Sequence, residues 1–516
     1  MAKDQSGPGL GRRPGSLLRA RPWPFHPLLA GAYFVLFLYS VNLEETELGD
    51  VLPVLLIVVV SIGAALLALG LLVGDIRRAA LGLSATVVAL FGYGHVLDVL
   101  APRGIGPFAQ QVGWLVAVAL AWLVAWRTRR RLAPATRALN VFAVVLVTVP
   151  LIAIVPFQFG LIAANPLGGS PSAGPGADPT QSDTPDIYYL VWDRYPGPRS
   201  MDLQSGIENP LYDDLRARGF YVAERSHANY WRTSVSLGST LSATLRDGRG
   251  RDDEVLGKAD TSGPYSSIQN SNVARFLKAR GYFYIHLGSD FSGTRTSPLA
   301  DVNPQYDNLS DFGAAFLDST ALPRILRRVG LAELHWERRY NWTTWGLDQL
   351  ERLPDRPGPE FVFAHVLLPH TPYIFDADGG FIPYPERSRL SESEQFANQL
   401  AYTNRRLLDI VDRLLDRPEG SRPIVIVQAD EGPYPFGFGD ATGHDWTSAT
   451  PEDREIKYNI LNAWYVPDGR DIGLYPAISS VNTFRLLFNA YFDTDLPLLP
   501  DESYSRGRSE PLVFPP

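Results

Sequence analysis

Pro185-Asp-Ile-Tyr-Tyr-Leu-Val-Trp-Asp-Arg-Tyr195 is the stretch on which the fold turns. From Ile187 to Trp192 it is an unbroken run of aliphatic and aromatic side chains with no polar alternation, the pattern of a strand buried on both faces of a sheet. The run ends on Asp193, and in open α/β sheets functional groups gather just beyond the carboxyl ends of the strands.

Downstream of this strand, helix and strand patterns alternate. The spacing predicts a helix near 208–218 ending at Gly219, a strand at 220–222, a helix at about 233–245 and a helix at 270–279 ending at Gly281. Strands follow at Tyr282-Phe-Tyr-Ile-His-Leu287 and Phe361-Val-Phe-Ala-His-Val-Leu367, then a long amphipathic helix at about 391–416 and strands at Pro423-Ile-Val-Ile-Val-Gln428 and 460–466. Such alternation predicts an α/β domain over 185–516 with a mainly parallel central sheet covered on both faces.

Upstream of it, residues 164–184 are rich in Gly, Pro, Ser, Ala and Asp, the composition of a flexible tether. Before that lie five predominantly apolar segments, 26–42, 51–73, 79–100, 112–127 and 140–163. Each approaches the roughly 20 residues that a helix needs to cross hydrocarbon. The expected organisation is a cytoplasmic tail over 1–25, five transmembrane helices within 26–163, the tether, and the α/β domain. The first span has neither the short apolar core nor the cleavage site of a removable signal and is expected to stay as an anchor. Lys3, Arg12, Arg13, Arg19 and Arg21 precede it; Arg77 and Arg78 fill one loop, and Arg127, Arg129, Arg130, Arg131 and Arg137 lie between the fourth and fifth segments. The other two loops carry Glu44, Glu45, Glu47, Asp50 and a single Arg103. The positive-inside rule therefore puts the N-terminus in the cytoplasm and, after an odd number of spans, the α/β domain outside a multi-pass cell-membrane protein. His95 and Asp98, near the outer end of the third segment, are either an intramembrane functional pair or water-facing groups at the bilayer edge.

The chain has 516 residues, a formal charge of -8 and no cysteine, which excludes disulfides, thiolate metal ligands and a cysteine nucleophile. The soluble part has no basic stripe interleaved with aromatics, so nucleic acid is not an expected partner.

Three strand ends carry groups capable of chemistry: Asp193, the pair Asp430-Glu431 after Ile-Val-Ile-Val-Gln-Ala, and His370 just past Val-Leu-Leu-Pro. If the strands are adjacent and parallel, Asp193, Asp430 and Glu431 form an oxygen-rich cluster that needs a cation to offset its mutual repulsion. Hard oxygen ligands suit one divalent ion, manganese or magnesium ahead of zinc, with zinc entering if a histidine joins. Taken singly, each is also an ordinary solvated strand-end residue. In Asn229-Tyr-Trp-Arg-Thr-Ser-Val-Ser-Leu-Gly-Ser239, Thr233 and Ser234 stand at the turn into a helix. There a hydroxyl is either a metal-activated nucleophile beside helix-terminal N–H groups or a helix cap. His365, inside an apolar strand, reads as a hydrogen-bonded core residue.

In this order the residues resemble the alkaline phosphatase superfamily, and within it the membrane-anchored, sulfatase-like branch that includes lipoteichoic acid synthase and related phosphoglycerol transferases. The resemblance spans most of 185–500 and extends to the five spans and the tether. It implies an acidic metal ligand at Asp193, a nucleophile at Thr233 that also binds the metal, further ligands at Asp430 and Glu431, and substrate contact by His370 in Leu-Pro-His370-Thr-Pro-Tyr. Segments 458–467 and 480–489 resemble the downstream part of sulfatase-like membrane proteins. Glu431 departs from the family pattern, which has histidine there; His444, in Thr-Gly-His-Asp-Trp, can supply the nitrogen or contact substrate. The formylglycine motif is absent, because Thr233-Ser-Val-Ser-Leu lacks its Pro/Ala and Arg.

The expected function is metal-dependent phosphoryl or phosphodiester hydrolysis or transfer on a cell-envelope lipid or polymer headgroup. The alternatives are sulfatase-like ester hydrolysis, or an inactive envelope sensor or scaffold, the latter motivated by Glu431.

Overall fold

The computed structural model describes residues 22–514 apart from 44–45, 94–106, 129–131, 165–183, 205–206, 248, 251, 253, 259, 261–264, 308–309, 324, 326–333, 439–445, 468 and 506–509. His95, Asp98, His444 and nearly all of the expected tether lie outside the described residues. The chain forms two compact units, one made chiefly of the N-terminal helices and one that holds the α/β domain.

Helices His26–Val41, Leu48–Val73, Ile76–Phe91, Pro107–Arg127 and Leu132–Ala164 fall in the five apolar segments, the third of which is described only as far as residue 93, and they lie chiefly in the first unit. Leu48–Val73 and Leu132–Gly160 are long and apolar enough for a complete crossing, whereas His26–Val41 and Val112–Arg127 are apolar but shorter. A small residue sets one close approach: a Cβ on Gly82 would lie 2.4 Å from the Trp122 ring, and Trp122 Nε1 donates to Thr86 Oγ1 at 3.1 Å. Small residues and interhelical hydrogen bonds are the usual means of association in a medium where apolar burial drives nothing.

The second unit is built on a six-stranded sheet, β1 Ile187–Trp192, β2 Tyr221–Val222, β3 Phe283–Leu287, β4 Glu360–Val366, β5 Ile424–Gln428 and β6 Asn462–Tyr465. The order is β2-β6-β5-β1-β4-β3, which puts the strand opened by Asp186 in the middle. β1, β3, β4 and β5 run parallel, but β6 is antiparallel to β5, and β2 to β6. The sheet is thus mixed, where the sequence pattern predicts mainly parallel. The reason is the route of the chain: after β5 it stays at the same end of the sheet through helix Pro451–Tyr458 and enters β6 from that end, so no crossover reverses it.

Both faces are covered. Tyr188, Leu190 and Trp192 pack with Phe396, Leu400, Leu407, Ile410 and Val411 of helix Glu392–Leu415. That helix starts on a capping box, Ser391 with Glu394, one residue after the predicted boundary. Ile187, Tyr189 and Val191 pack on the opposite face with Leu237 and Leu241 of helix Thr233–Ser242 and with Phe484, Leu487 and Phe488 of helix Thr483–Tyr491. This alternation within an all-apolar strand is what burial on two sides requires.

Candidate metal centre and active site

Strand parity assembles the site. In the register, Val191 of β1 lies beside His365 of β4 on one side and Gln428 of β5 on the other. Paired residues on neighbouring strands share a face, and Asp193 and Asp430 lie two positions beyond Val191 and Gln428, so both carboxylates continue that face. It is the face that helix Thr233–Ser242 covers.

Asp193, His365 and Asp430 each offer a ligand atom, and these atoms lie within 4.8 Å of one another. All three residues are buried. Asp193 Oδ1, His365 Nε2 and Asp430 Oδ2 have no hydrogen-bond partner among the described residues, and His365 Nε2 stands 3.5 Å from Asp193 Oδ2. Buried polar atoms are nearly always satisfied. Three left open and facing one another fit a cation.

The electrostatics are those of a carboxylate pair in want of positive charge. Burial pushes the Asp430 carboxyl far up, and the Asp193 and Glu431 carboxylates push it further. For Asp193 burial acts in the same direction, but the nearby His370 and the His365 contact outweigh it and hold the group below the usual carboxylate range. Two like charges at such a distance do not both ionise comfortably without a counter-charge.

His365 is the residue that sequence reasoning missed. Its place in an apolar strand reads as core, and its chemistry emerges only from its neighbours. Nδ1 faces Thr294 Oγ1 at 2.7 Å and Ser289 Oγ at 3.0 Å, which turns Nε2 toward the carboxylates. Behind it, His286 Nε2 meets the Thr294 carbonyl at 2.6 Å and His286 Nδ1 meets Tyr284 Oη at 2.8 Å. Burial lowers His286 to about 4, so its ring is neutral, donating from Nε2 and accepting at Nδ1.

Thr233 is the first residue of its helix; Arg232 is the N-cap and makes no side-chain cap bond. The capping role open to Thr233 and Ser234 is therefore not taken up by either. Instead the Thr233 hydroxyl lies near enough to the Asp430 carboxylate to favour its charged form, and Ser236 Oγ donates to the Asp430 carbonyl at 2.6 Å, tying the helix start to the end of β5.

Glu431 is not brought into the three-residue group. Its Oε1 accepts from Arg194 Nε at 2.9 Å and its Oε2 lies 3.1 Å from Lys457 Nζ. The third potential ligand atom of that group comes instead from His365, on the strand on the other side of β1. His370 is partly buried on the loop after β4, its Nδ1 against the Thr371 carbonyl. Gln399 fixes that loop, donating from Nε2 to the Pro369 and His370 carbonyls at 3.1 and 2.9 Å.

No family model and no curated protein matches the sequence. Among solved structures, the chain is similar to the C-terminal periplasmic domain of EcEptC from Escherichia coli in complex with zinc, at 11% identity over 67% of this chain and 94% of that one, with a TM-score of 0.42. It is similar to the integral membrane protein lipooligosaccharide phosphoethanolamine transferase A from Neisseria meningitidis, at 13% identity over 90% and 94% of the two chains, with a TM-score of 0.43. It is also similar to the phosphonate monoester hydrolase of Agrobacterium radiobacter, at 13% identity over 59% and 73%, with a TM-score of 0.37.

Proposed function

We propose that the chain is a membrane-anchored, divalent-metal-dependent enzyme that hydrolyses or transfers a phosphoryl or phosphodiester group on a lipid or polymer headgroup of the cell envelope. The carrying observation is the group of buried ligand atoms on Asp193, His365 and Asp430 that lie within 4.8 Å of one another and lack hydrogen-bond partners among the described residues. In this reading Asp193, His365, Asp430 and Thr233 hold one cation. Two carboxylates, an imidazole and a hydroxyl suit zinc or manganese, a shift from the all-oxygen set that points to magnesium or manganese.

A divalent ion bound there supplies charge that lowers the pKa of the Thr233 hydroxyl and offsets the oxygens of the transferring group. Thr233 Oγ1 forms the bond to phosphorus while the bond from phosphorus to the leaving oxygen breaks. The Thr233 proton passes to the nearby Asp430 carboxylate, and His370 protonates the leaving oxygen. The phosphothreonine is resolved when an acceptor oxygen bonds to phosphorus and gives its proton to His370, the bond from phosphorus to Thr233 Oγ1 breaks, and Asp430 returns its proton to Thr233 Oγ1. Water as acceptor makes a hydrolase, and a glycolipid or glycan hydroxyl makes a transferase. The five N-terminal helices anchor the domain, with the N-terminus cytoplasmic and the site outside.

The test is turnover by the purified full chain of chromogenic phosphomonoesters, phosphodiesters and sulfate esters, with zinc, manganese, magnesium or chelator, beside Thr233→Ala. Metal-dependent cleavage of a phosphoester, lost by at least about a thousandfold in Thr233→Ala, is expected. Turnover that survives chelator or Thr233→Ala overturns the reading, and preference for the sulfate ester replaces it with the sulfatase alternative.

A further inference from the structure

Asp193 is followed by an arginine with a left-handed backbone: φ of Arg194 is 59°, a region that non-glycine residues occupy rarely and, when they do, often at functional sites. The conformation points the Arg194 N–H at Asp430 Oδ1, 3.2 Å away, and sends the side chain across the end of β5. There Nε donates to Glu431 Oε1 at 2.9 Å, and the guanidinium lies 4.5 Å from the centroid of the Tyr434 ring. Nη1 reaches to 3.4 Å from Thr371 Oγ1, on the residue after His370.

Lys457 closes the other side of the same cluster. Its Nζ is 3.1 Å from Glu431 Oε2, donates to the Gly432 carbonyl at 2.9 Å and lies 4.2 Å from the same Tyr434 ring. The two cations differ in access. The Lys457 side chain is 0% exposed and serves as fixed internal charge, whereas that of Arg194 keeps 11% of its surface and turns toward the His370 loop. A third carboxylate buried beside Asp193 and Asp430 is costly unless it has a task. Gripping the inner edge of a guanidinium, while Tyr434 fixes its plane, is such a task.

We propose that Arg194 is the anion-binding residue of this site, taking a non-bridging oxygen of a tetrahedral phosphoryl or sulfuryl group, and that Glu431, Lys457 and Tyr434 are the residues that position it. The inference rests on the reading of Asp193, His365 and Asp430 as the metal centre. The charges are consistent: three carboxylates, two fixed cations and one divalent ion leave a single positive charge, and a rigid planar fork is the donor geometry that matches two oxygens of such a group.

The experiment is calorimetric titration of inorganic phosphate and, separately, inorganic sulfate into the metal-loaded full chain, with metal content and melting temperature measured on each variant. Wild type binds at least one of the two anions, and the tighter one identifies the preferred ester. Arg194→Gln weakens that binding by about tenfold or more with metal content unchanged. Arg194→Lys recovers part of it, because charge returns without the fork, and Glu431→Gln falls in between while retaining the metal. Should Arg194→Gln fail to fold, Tyr434→Leu carries the test, since it removes the stacking face and no charge; several-fold weaker binding is expected. Anion binding that is absent in wild type, or unchanged in Arg194→Gln or in Tyr434→Leu, overturns the proposal, as does stoichiometric loss of metal in Glu431→Gln. Failure of the group-transfer reading shows separately, as turnover that is indifferent to Thr233→Ala, a residue that anion binding to Arg194 does not require.

Discussion

Gln399→Leu isolates the loop that carries His370. Gln399 is fully buried and uses its whole hydrogen-bonding capacity on backbone: Oε1 accepts from the Ile374 and Phe375 amides at 2.8 and 3.3 Å, and Nε2 donates to the Pro369 and His370 carbonyls at 3.1 and 2.9 Å. Leucine keeps the approximate volume and strands all four groups. Each costs about 1–3 kcal/mol when buried unsatisfied, and the lower figure applies because the loop can reach water by shifting. The sum is about 4 kcal/mol, a large share of the roughly 5–15 kcal/mol that holds a domain folded. Relief comes through local opening of 369–375 rather than global unfolding, because the helix around Gln399 keeps Phe396, Leu400 and Leu407 in the core. Amide hydrogen exchange on the full chain reads this directly. At 1.4 kcal/mol per decade the Ile374 and Phe375 amides exchange at least about a hundredfold faster, while β1 and β5 are unchanged. Gln399→Glu retains the acceptor and keeps those two amides protected while releasing the carbonyls. Exchange at 374–375 within threefold of wild type in Gln399→Leu refutes the reasoning.

Two further perturbations test other parts of the structure. Thr294→Val removes the hydroxyl 2.7 Å from His365 Nδ1 and leaves Ser289 as that nitrogen's partner among the described residues; metal affinity, read by chelator competition, falls by about tenfold, and an unchanged affinity removes Thr294 from the proposed metal centre. Glu360, at the opposite end of β4, is buried with both carboxylate oxygens lacking a hydrogen-bond partner among the described residues. Burial first, and the Asp186 carboxylate second, push it up to about 7 against the opposing pull of Arg417 and Arg356. A raised carboxyl pKa means that the folded state holds the proton more tightly. Its contribution is fully present below about 4.5 and is lost as pH rises through about 7. Glu360→Gln is therefore neutral in effect near pH 4.5 and stabilising by up to about 3 kcal/mol at pH 8. A melting-temperature difference between variant and wild type that stays constant over that range contradicts the account.

What the sequence by itself determined was local. The continuous apolar runs marked β1, β3, β4 and β5 to within a residue or two, because burial on both faces leaves no room for polar alternation. The amphipathic pattern placed the long helix to within a residue of its start at Glu392. Asp193 and Asp430 were legible as candidate site residues because each ends such a run, and Thr233 because it opens the helix that follows the turn. What only the tertiary structure decided was which side chains share a face. His365 becomes a partner of Asp193 through a register between strands that lie more than 170 positions apart in sequence, and no local pattern distinguishes it from a core histidine. Ser289 and Thr294, which orient it, lie in a stretch without periodicity. Glu431 stands one residue beyond Asp430 and by sequence belongs with it, yet alternation along the strand end turns it to the other side, where Arg194 and Lys457 meet it. The direction of β6 followed from the path of a connection rather than from the composition of the strand, since an apolar run buried on two sides reads the same in either direction. Periodicity records burial, which is a property of one element against its surroundings; coordination and ion pairing are relations between elements, and these are fixed when the sheet order is fixed.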